Sequence, residues 1–167
     1  MPLFTPTERK KDVSQITVEL LQTMGIRGLL LDVDNTLSEH DSQEPFPAAL
    51  HWTRDLREAG LQIVIVSNNH APRVEPFAKK FDLPFVAEGK KPLPTGFRKG
   101  LDVLGMKQSE VLVVGDQIFT DILGANLGRM PSILGEPIPP EDGWFFRCKR
   151  ALEKPILAYD SWRRRKK

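Results

Sequence analysis

The chain has one cysteine, Cys148, in 167 residues. No internal disulfide can form, a zinc site built from several thiolates is excluded, and the usage suits a reducing compartment. Nowhere does the sequence hold a run of about 18 apolar residues, the length a helix needs to cross a bilayer. The first eleven residues carry lysines but lack the apolar stretch that a secretory signal requires. An excess of one charge is also missing. The 24 Lys and Arg against 22 Asp and Glu leave +2, too little by itself to argue for a nucleic-acid partner. There is neither an internal repeat nor a low-complexity linker. What remains is 40% hydrophobic and 28% charged, in a length that can bury one sizeable core. The expectation is one cytoplasmic globular domain over residues 1–167, with a basic, aromatic C-terminal extension over residues 144–167.

Strand-length apolar runs alternate with amphipathic stretches of helix length. Residues 26–33 predict a buried strand. Residues 47–59 place Ala48, Ala49, Trp52 and Leu56 at helical spacing and stop at Gly60. Residues 61–66 form a second strand rich in β-branched side chains, followed by a helix over 71–81 and a short strand over 84–87. A helix over 93–104 stops at Gly105; a strand over 111–114, a helix over 120–127 and a last strand over 132–134 follow. This alternation predicts an α/β fold, a mostly parallel sheet covered by helices on both faces. Such sheets bind ligands beyond the carboxyl ends of their strands. Four polar groups follow strands there: Asp32-Val33-Asp34-Asn35-Thr36, Ser67-Asn68-Asn69, Lys90-Lys91, and Gly115-Asp116 with Asp121.

Asp32 and Asp34 stand two apart at a strand end, where the pleat points both side chains one way. Two unit charges about 4 Å apart repel by about 4 kcal/mol at an effective dielectric of about 20, and Asp116 and Asp121 add to this. A fold tolerates such crowding when a cation sits among the carboxylates. With oxygen donors and no His or Cys cluster nearby, Mg²⁺ is the first choice. Lys91 brings another positive charge, and Ser67 with the backbone N–H groups after it can hold phosphoryl oxygens. Such a group of residues can cleave a phosphate ester. One carboxylate attacks phosphorus, and the other protonates the leaving alkoxide and later deprotonates water. Each group alone has a plainer reading. Asp-x-Asp is often a turn or cap, Ser-Asn-Asn ordinary loop chemistry, Lys91 a solvated lysine and Gly115-Asp116 a helix cap. Their succession on four strand ends points to a site.

These residues resemble the haloacid dehalogenase-like (HAD) superfamily of phosphatases. Asp32-Val33-Asp34-Asn35-Thr36 matches its Asp-x-Asp-x-Thr motif, and Ser67 after Ile63-Val64-Ile65-Val66 its second motif. Lys91-Pro92 matches the third, with Lys90 a competing choice, and Gly115-Asp116 with Asp121 the fourth. The resemblance implies a HAD-like Rossmannoid three-layer sandwich with Asp32 as nucleophile and Asp34 as general acid/base. It implies Mg²⁺ on Asp32, the Asp34 backbone carbonyl and Asp116, with Asp121 helping, and phosphate held by Thr36, Ser67, Asn68 and Lys91. A narrower resemblance, over about residues 5 to 155, is to the YqeG family of class IIIA phosphatases. It rests on residues 16–21, Lys91-Pro92-Leu93-Pro94 and residues 115–126. That family is similar to the mitochondrial and plastid phosphatidylglycerophosphate phosphatases, which is what implies a phospholipid substrate.

Only residues 37–46 separate the first motif from the next helix, so no substantial cap domain is expected and the site should be open. An open site admits a macromolecule or a head group fixed in a membrane surface. The C-terminal stretch interleaves Arg147, Lys149, Arg150, Lys154 and residues 163–167 with Trp144, Phe145, Phe146, Tyr159 and Trp162. It reads either as a solvated tail on a docked helix or as a peripheral contact with an anionic membrane on its inner face. RNA is a weaker third reading. His40 follows the first motif closely enough to touch substrate, though a polar loop residue is the simpler reading; His51 and His70 read as structural, and Cys148 as a packed residue. The substrate alternatives are a phosphoprotein or a soluble nucleotide or metabolite. From another class, the alternative is an inactive scaffold binding RNA or a protein.

Overall fold

A computed structural model of the protein describes residues 3–136 and 144–165, with side chains in the second segment from residue 151 onward. Six strands are all parallel: β1 (Glu8–Lys10), β2 (Gly28–Leu31), β3 (Gln62–Val66), β4 (Phe85–Val86), β5 (Val111–Gly115) and β6 (Ser132–Gly135). They lie in the order β1-β6-β5-β2-β3-β4. β2 and β5 are buried along their whole length, which is why their sequences read as continuous apolar runs. Alternation then divides the core. Leu29, Leu31, Ile63, Ile65, Leu112 and Val114 pack on one face with Trp52, Leu56 and Phe77. Leu30, Val64, Val66, Val111 and Val113 pack on the other with Phe97, Leu104 and Ala125.

The first face is covered by α1 (Val18–Thr23), α2 (Pro47–Glu58) and α3 (Ala71–Phe81), the second by α4 (Pro94–Leu104) and α5 (Leu123–Leu127). α2, α3 and α4 each carry proline in their first two positions, where its missing N–H costs nothing. This is the three-layer α/β sandwich the sequence predicts. The chain builds β2, β3 and β4 outward in one direction, then crosses back to lay β5 and β6 on the other side of β2. The reversal lies between β2 and β5, the place where such sheets bind ligands beyond the carboxyl ends of their strands.

Three elements differ from expectation. Residues 120–127 are not one α-helix, because Ile118–Ile122 forms a wider π-type turn that leads into α5. β1 was not anticipated, since Glu8-Arg9-Lys10 has no apolar alternation, and neither was α1. The last helix, α6 (Trp144–Arg165), packs Ile156 and Leu157 beside Ile118, Ile122, Leu134 and Phe4. Its course follows from three contacts. Glu153 Oε1 accepts from Ile118 N just past the end of β5 (3.1 Å), and Arg9 Nη1 in β1 donates to Ser161 Oγ (3.1 Å). Arg164 donates to the Pro6 and Thr7 carbonyls, ahead of β1. α6 therefore runs antiparallel to the strands, from their carboxyl edge to their amino edge. The side chains expected to matter at residues 144–150, Cys148 among them, and residues 166 and 167 lie outside the described residues.

Candidate active site

Asp32 extends the β2 ladder by one bond, its N–H donating to Val114 O (2.9 Å), and the regular pairing stops there. Asn35 takes a left-handed conformation (φ 57°), and the N–H groups of Thr36, Leu37 and Ser38 all turn back onto Val33 O. The pleat therefore does not govern Asp34, and the two carboxylates take different partners. Asp32 Oδ1 accepts from Lys91 Nζ at 2.6 Å, and the same ammonium donates to Asp121 Oδ1 at 2.7 Å. Asp34 Oδ1 accepts from Arg73 Nη2 (2.9 Å) and Asp41 N (3.0 Å), and its Oδ2 from Asn69 Nδ2 (3.1 Å).

Carboxylate oxygens of Asp32, Asp116 and Asp121 all lie within 4.8 Å of one another, and all three residues are buried. The π-type turn brings Asp121 there and lets its Oδ2 accept from Gln117 N (3.2 Å). Gly115 makes room, because a Cβ at that position would stand 2.4 Å from the Asp121 carboxylate carbon. Asn35 Nδ2 reaches Asp116 Oδ2 at 3.4 Å.

Lys91 is held by Asn68, whose Nδ2 donates to Lys91 O (3.1 Å) while its Oδ1 accepts from Lys91 N (2.7 Å). The adjacent Lys90 is exposed and left-handed (φ 53°), so the buried lysine of the site is Lys91. Gly96 lets α4 press on the loop before it, since a Cβ there would meet the Gly89 carbonyl oxygen at 2.3 Å. Ser67 is buried, with its Oγ accepting from Asn69 N (3.1 Å). Thr36 is buried too, and its Oγ1 has no hydrogen-bond partner among the described residues.

Burial first, then the Asp121 carboxylate, push the Asp32 carboxyl up to about 7, although Lys91 pulls the other way. Burial also works against the charge on Lys91, but Asp121 and Asp32 outweigh it and hold the ammonium above its usual range. One ammonium thus pairs with two of the three clustered buried carboxylates. The shortfall of positive charge and the all-oxygen donor set fit a hard divalent cation such as Mg²⁺.

A profile of haloacid dehalogenase-like hydrolases matches residues 12–128, a span that includes all four strand-end groups. The chain belongs to that family. This hydrolase is 34% identical over 155 residues to the probable phosphatase YqeG of Bacillus subtilis (strain 168), covering 93% of this chain and 90% of that one. It is 27% identical over 157 residues to phosphatidylglycerophosphate phosphatase 1, chloroplastic/mitochondrial, of Arabidopsis thaliana, covering 88% of this chain and 45% of the plant protein. The D,D-heptose 1.7-bisphosphate phosphatase from B. bronchiseptica, solved with magnesium and phosphate, shares the fold with a TM-score of 0.53 at 15% identity. That match covers 65% of this chain and 80% of the other. The hydrolase is a HAD-family phosphatase.

Sequence reasoning missed Arg73 altogether, and, although it singled out Asn68 and Asn69, it missed the bond of Asn69 to Asp34 and the clasp of Asn68 on Lys91. An arginine in the first turn of a helix gives no signal, because its partner lies 39 positions away. His40 stands 3.8 Å from Asp34 Oδ1. His51 Nδ1 pairs with Pro47 O (2.8 Å) and His70 Nδ1 with Glu88 Oε1 (2.7 Å), away from the cluster.

Proposed function

We propose that this phosphatase is a Mg²⁺-dependent phosphomonoesterase that works through a phospho-aspartyl intermediate on Asp32 and acts on phosphatidylglycerophosphate. The observation that carries the chemistry is Lys91 Nζ lodged between Asp32 and Asp121 within the three-carboxylate cluster. The Asp32 carboxylate forms a bond to phosphorus as the ester P–O bond breaks, and Asp34 gives a proton to the departing oxygen. Asp34 then takes a proton from the water that attacks the acyl phosphate, releasing inorganic phosphate and free Asp32. Lys91 offsets charge on the phosphoryl oxygens, Ser67 and the N–H groups after it orient them, and Thr36 shapes the turn beneath. Mg²⁺ would be held by Asp32, Asp116 and the Asp34 carbonyl, with Asp121 helping, and supplies charge neutralisation at the transferring group.

Three observations support the lipid substrate. The plant relative carries that activity in its name. Residues 32–46 form no element beyond isolated bridges at Asp34–Ser38 and Ser38–Pro45, which leaves the site without a cap. The third observation is the outer face of α6. It exposes Leu152, Tyr159 and Trp162, the two rings stacked 6.0 Å apart. Glu153 and Asp160, the acidic residues of its described part, are buried against the body of the protein. The outward charges of that part, from Lys154 and Arg165, are therefore positive. Each is worth about 1 kcal/mol near an anionic bilayer. No helix among the described residues is long and apolar enough to cross a membrane, so the contact is peripheral, with α6 lying in the interface on the cytoplasmic side.

The test is phosphate release from phosphatidylglycerophosphate in vesicles of mixed anionic and neutral lipid, beside a nucleoside monophosphate and a phosphopeptide. Release from the lipid that needs Mg²⁺ and falls when Tyr159 and Trp162 are replaced by Ser supports the proposal. A phosphatase active on the soluble esters and silent on the lipid overturns the substrate.

A further inference from the structure

Arg73 sits in the first turn of α3, its side chain only one-quarter exposed, and reaches across the site mouth to Asp34. Its guanidinium is used at both ends. Nη2 donates to Asp34 Oδ1 (2.9 Å) and lies 3.4 Å from Asp41 Oδ1, while Nη1 donates to Asp41 O (3.0 Å). The Asp41 N–H in turn donates to Asp34 Oδ1 (3.0 Å). The loop bearing Asp41 is pinned to the same helix by Gln43 Nε2 on Arg73 O (3.0 Å) and by Lys80 Nζ on Gln43 O (2.7 Å). Arg73, Asp41 and Asp34 form a closed ring of contacts, and Asn69 fixes the other carboxylate oxygen.

We propose that Arg73 is a positioning residue for proton transfer by Asp34, holding its carboxylate toward the leaving-group side of the site through the clamp with Asp41. The inference rests on the assignment of Asp34 as general acid/base. A carboxylate beyond the last regular strand pairing has nothing in the sheet to set its rotamer, and a displacement of about 1 Å at a reacting group can cost about 100-fold. A planar guanidinium reaches Asp34 and the Asp41 carbonyl at once, whereas a lysine ammonium has no fork with which to do so. Asp32 takes no contact from Arg73 among the hydrogen bonds described, so its attack on phosphorus should not depend on this residue.

That separation makes the test. First-turnover release is followed for p-nitrophenyl phosphate, whose leaving group departs without a proton, and for phenyl phosphate, whose leaving group needs one. In Arg73→Ala the burst rate on phenyl phosphate should fall about 30-fold, within the range that a misplaced acid allows. The burst on p-nitrophenyl phosphate and KM for both esters should stay within about threefold. Arg73→Lys, which keeps the charge and is the milder change for folding, should show the same leaving-group dependence at smaller size. Equal losses on both esters, or none in either variant, overturn the proposal. Asp34→Asn, run beside them, separates the two levels. If it shows the leaving-group dependence and the Arg73 variants do not, only the role of Arg73 fails. If it lacks that dependence, the acid/base assignment fails and the proposal falls with it.

Discussion

Replacing Lys91 by methionine keeps the length of the side chain and removes the cation that two buried carboxylates share. The ammonium is 2.6 Å from Asp32 and 2.7 Å from Asp121, and the three side chains are 3%, 10% and 1% exposed. Breaking a buried pair strands a desolvated charge and costs about 3–5 kcal/mol. Here the variant strands the charge of the whole cluster, and we expect that loss in full at about pH 8 in EDTA. Proton uptake limits it at lower pH. Asp32 already titrates at about 7 in the folded protein, against 3.8 without its surroundings, and losing Lys91 raises it further. A carboxyl raised on folding destabilises above its folded pKa and exerts no penalty below its unfolded one. The deficit should therefore shrink by half or more between about pH 8 and about pH 5. Mg²⁺ should restore more stability to the variant than to the parent, because binding to the folded form alone adds RT ln(1 + [L]/Kd) and the cluster is now more negative. Urea unfolding followed by circular dichroism, at both pH values and with EDTA or Mg²⁺, gives the four numbers. A loss below about 1 kcal/mol at the higher pH, or one that ignores both pH and Mg²⁺, would refute the reasoning.

Asp32→Asn should abolish turnover, and beryllium fluoride should label the parent and leave the variant unlabelled, as read by mass and ¹⁹F spectra. EDTA should remove activity and Mg²⁺ restore it, while Asp116→Ala should raise the Mg²⁺ concentration at half-maximal activity about tenfold or more. Gly115→Ala should push the Asp121 carboxylate aside, given the 2.4 Å approach, and weaken Mg²⁺ binding measured by calorimetry. In the unsubstituted protein without metal, stability should fall as pH rises from about 4 to about 7. Saturating Mg²⁺ should flatten that slope in thermal melts, because the ion favours the charged form of Asp32.

The buried strands and the four strand-end groups were legible in the sequence, because a sheet covered on both faces demands continuous apolar runs and the polar residues that break them stand out. β1 was not. Its three charged residues occupy a sheet edge where one side meets α6 and solvent, so they carry no alternation. The sequence places an α-helix over residues 120–127, and its first three residues belong instead to the wider turn of 118–122, since the one extra residue per turn that aims Asp121 leaves no mark on composition. Asn68 and Asn69 stood out by their place at a strand end, but their partners, 23 and 35 positions away, did not, and Arg73, 39 positions from Asp34, carries no local mark at all. The direction of α6 was equally hidden. A helix of that composition could have run either way, and only its partners at Ile118 and Pro6 decide the matter.

The bond between Ile118 N and the buried carboxylate of Glu153 turns one backbone proton into a gauge. Ile118 opens the turn that carries Asp121, so its amide is shielded only while the middle of α6 stays seated. Its exchange rate in deuterated water, read by NMR, counts how often the helix lifts, without cutting the chain or adding a label. A bilayer that presses the helix down would slow that exchange. A bilayer that peels it off would speed exchange and loosen the turn of Asp121 in the same event.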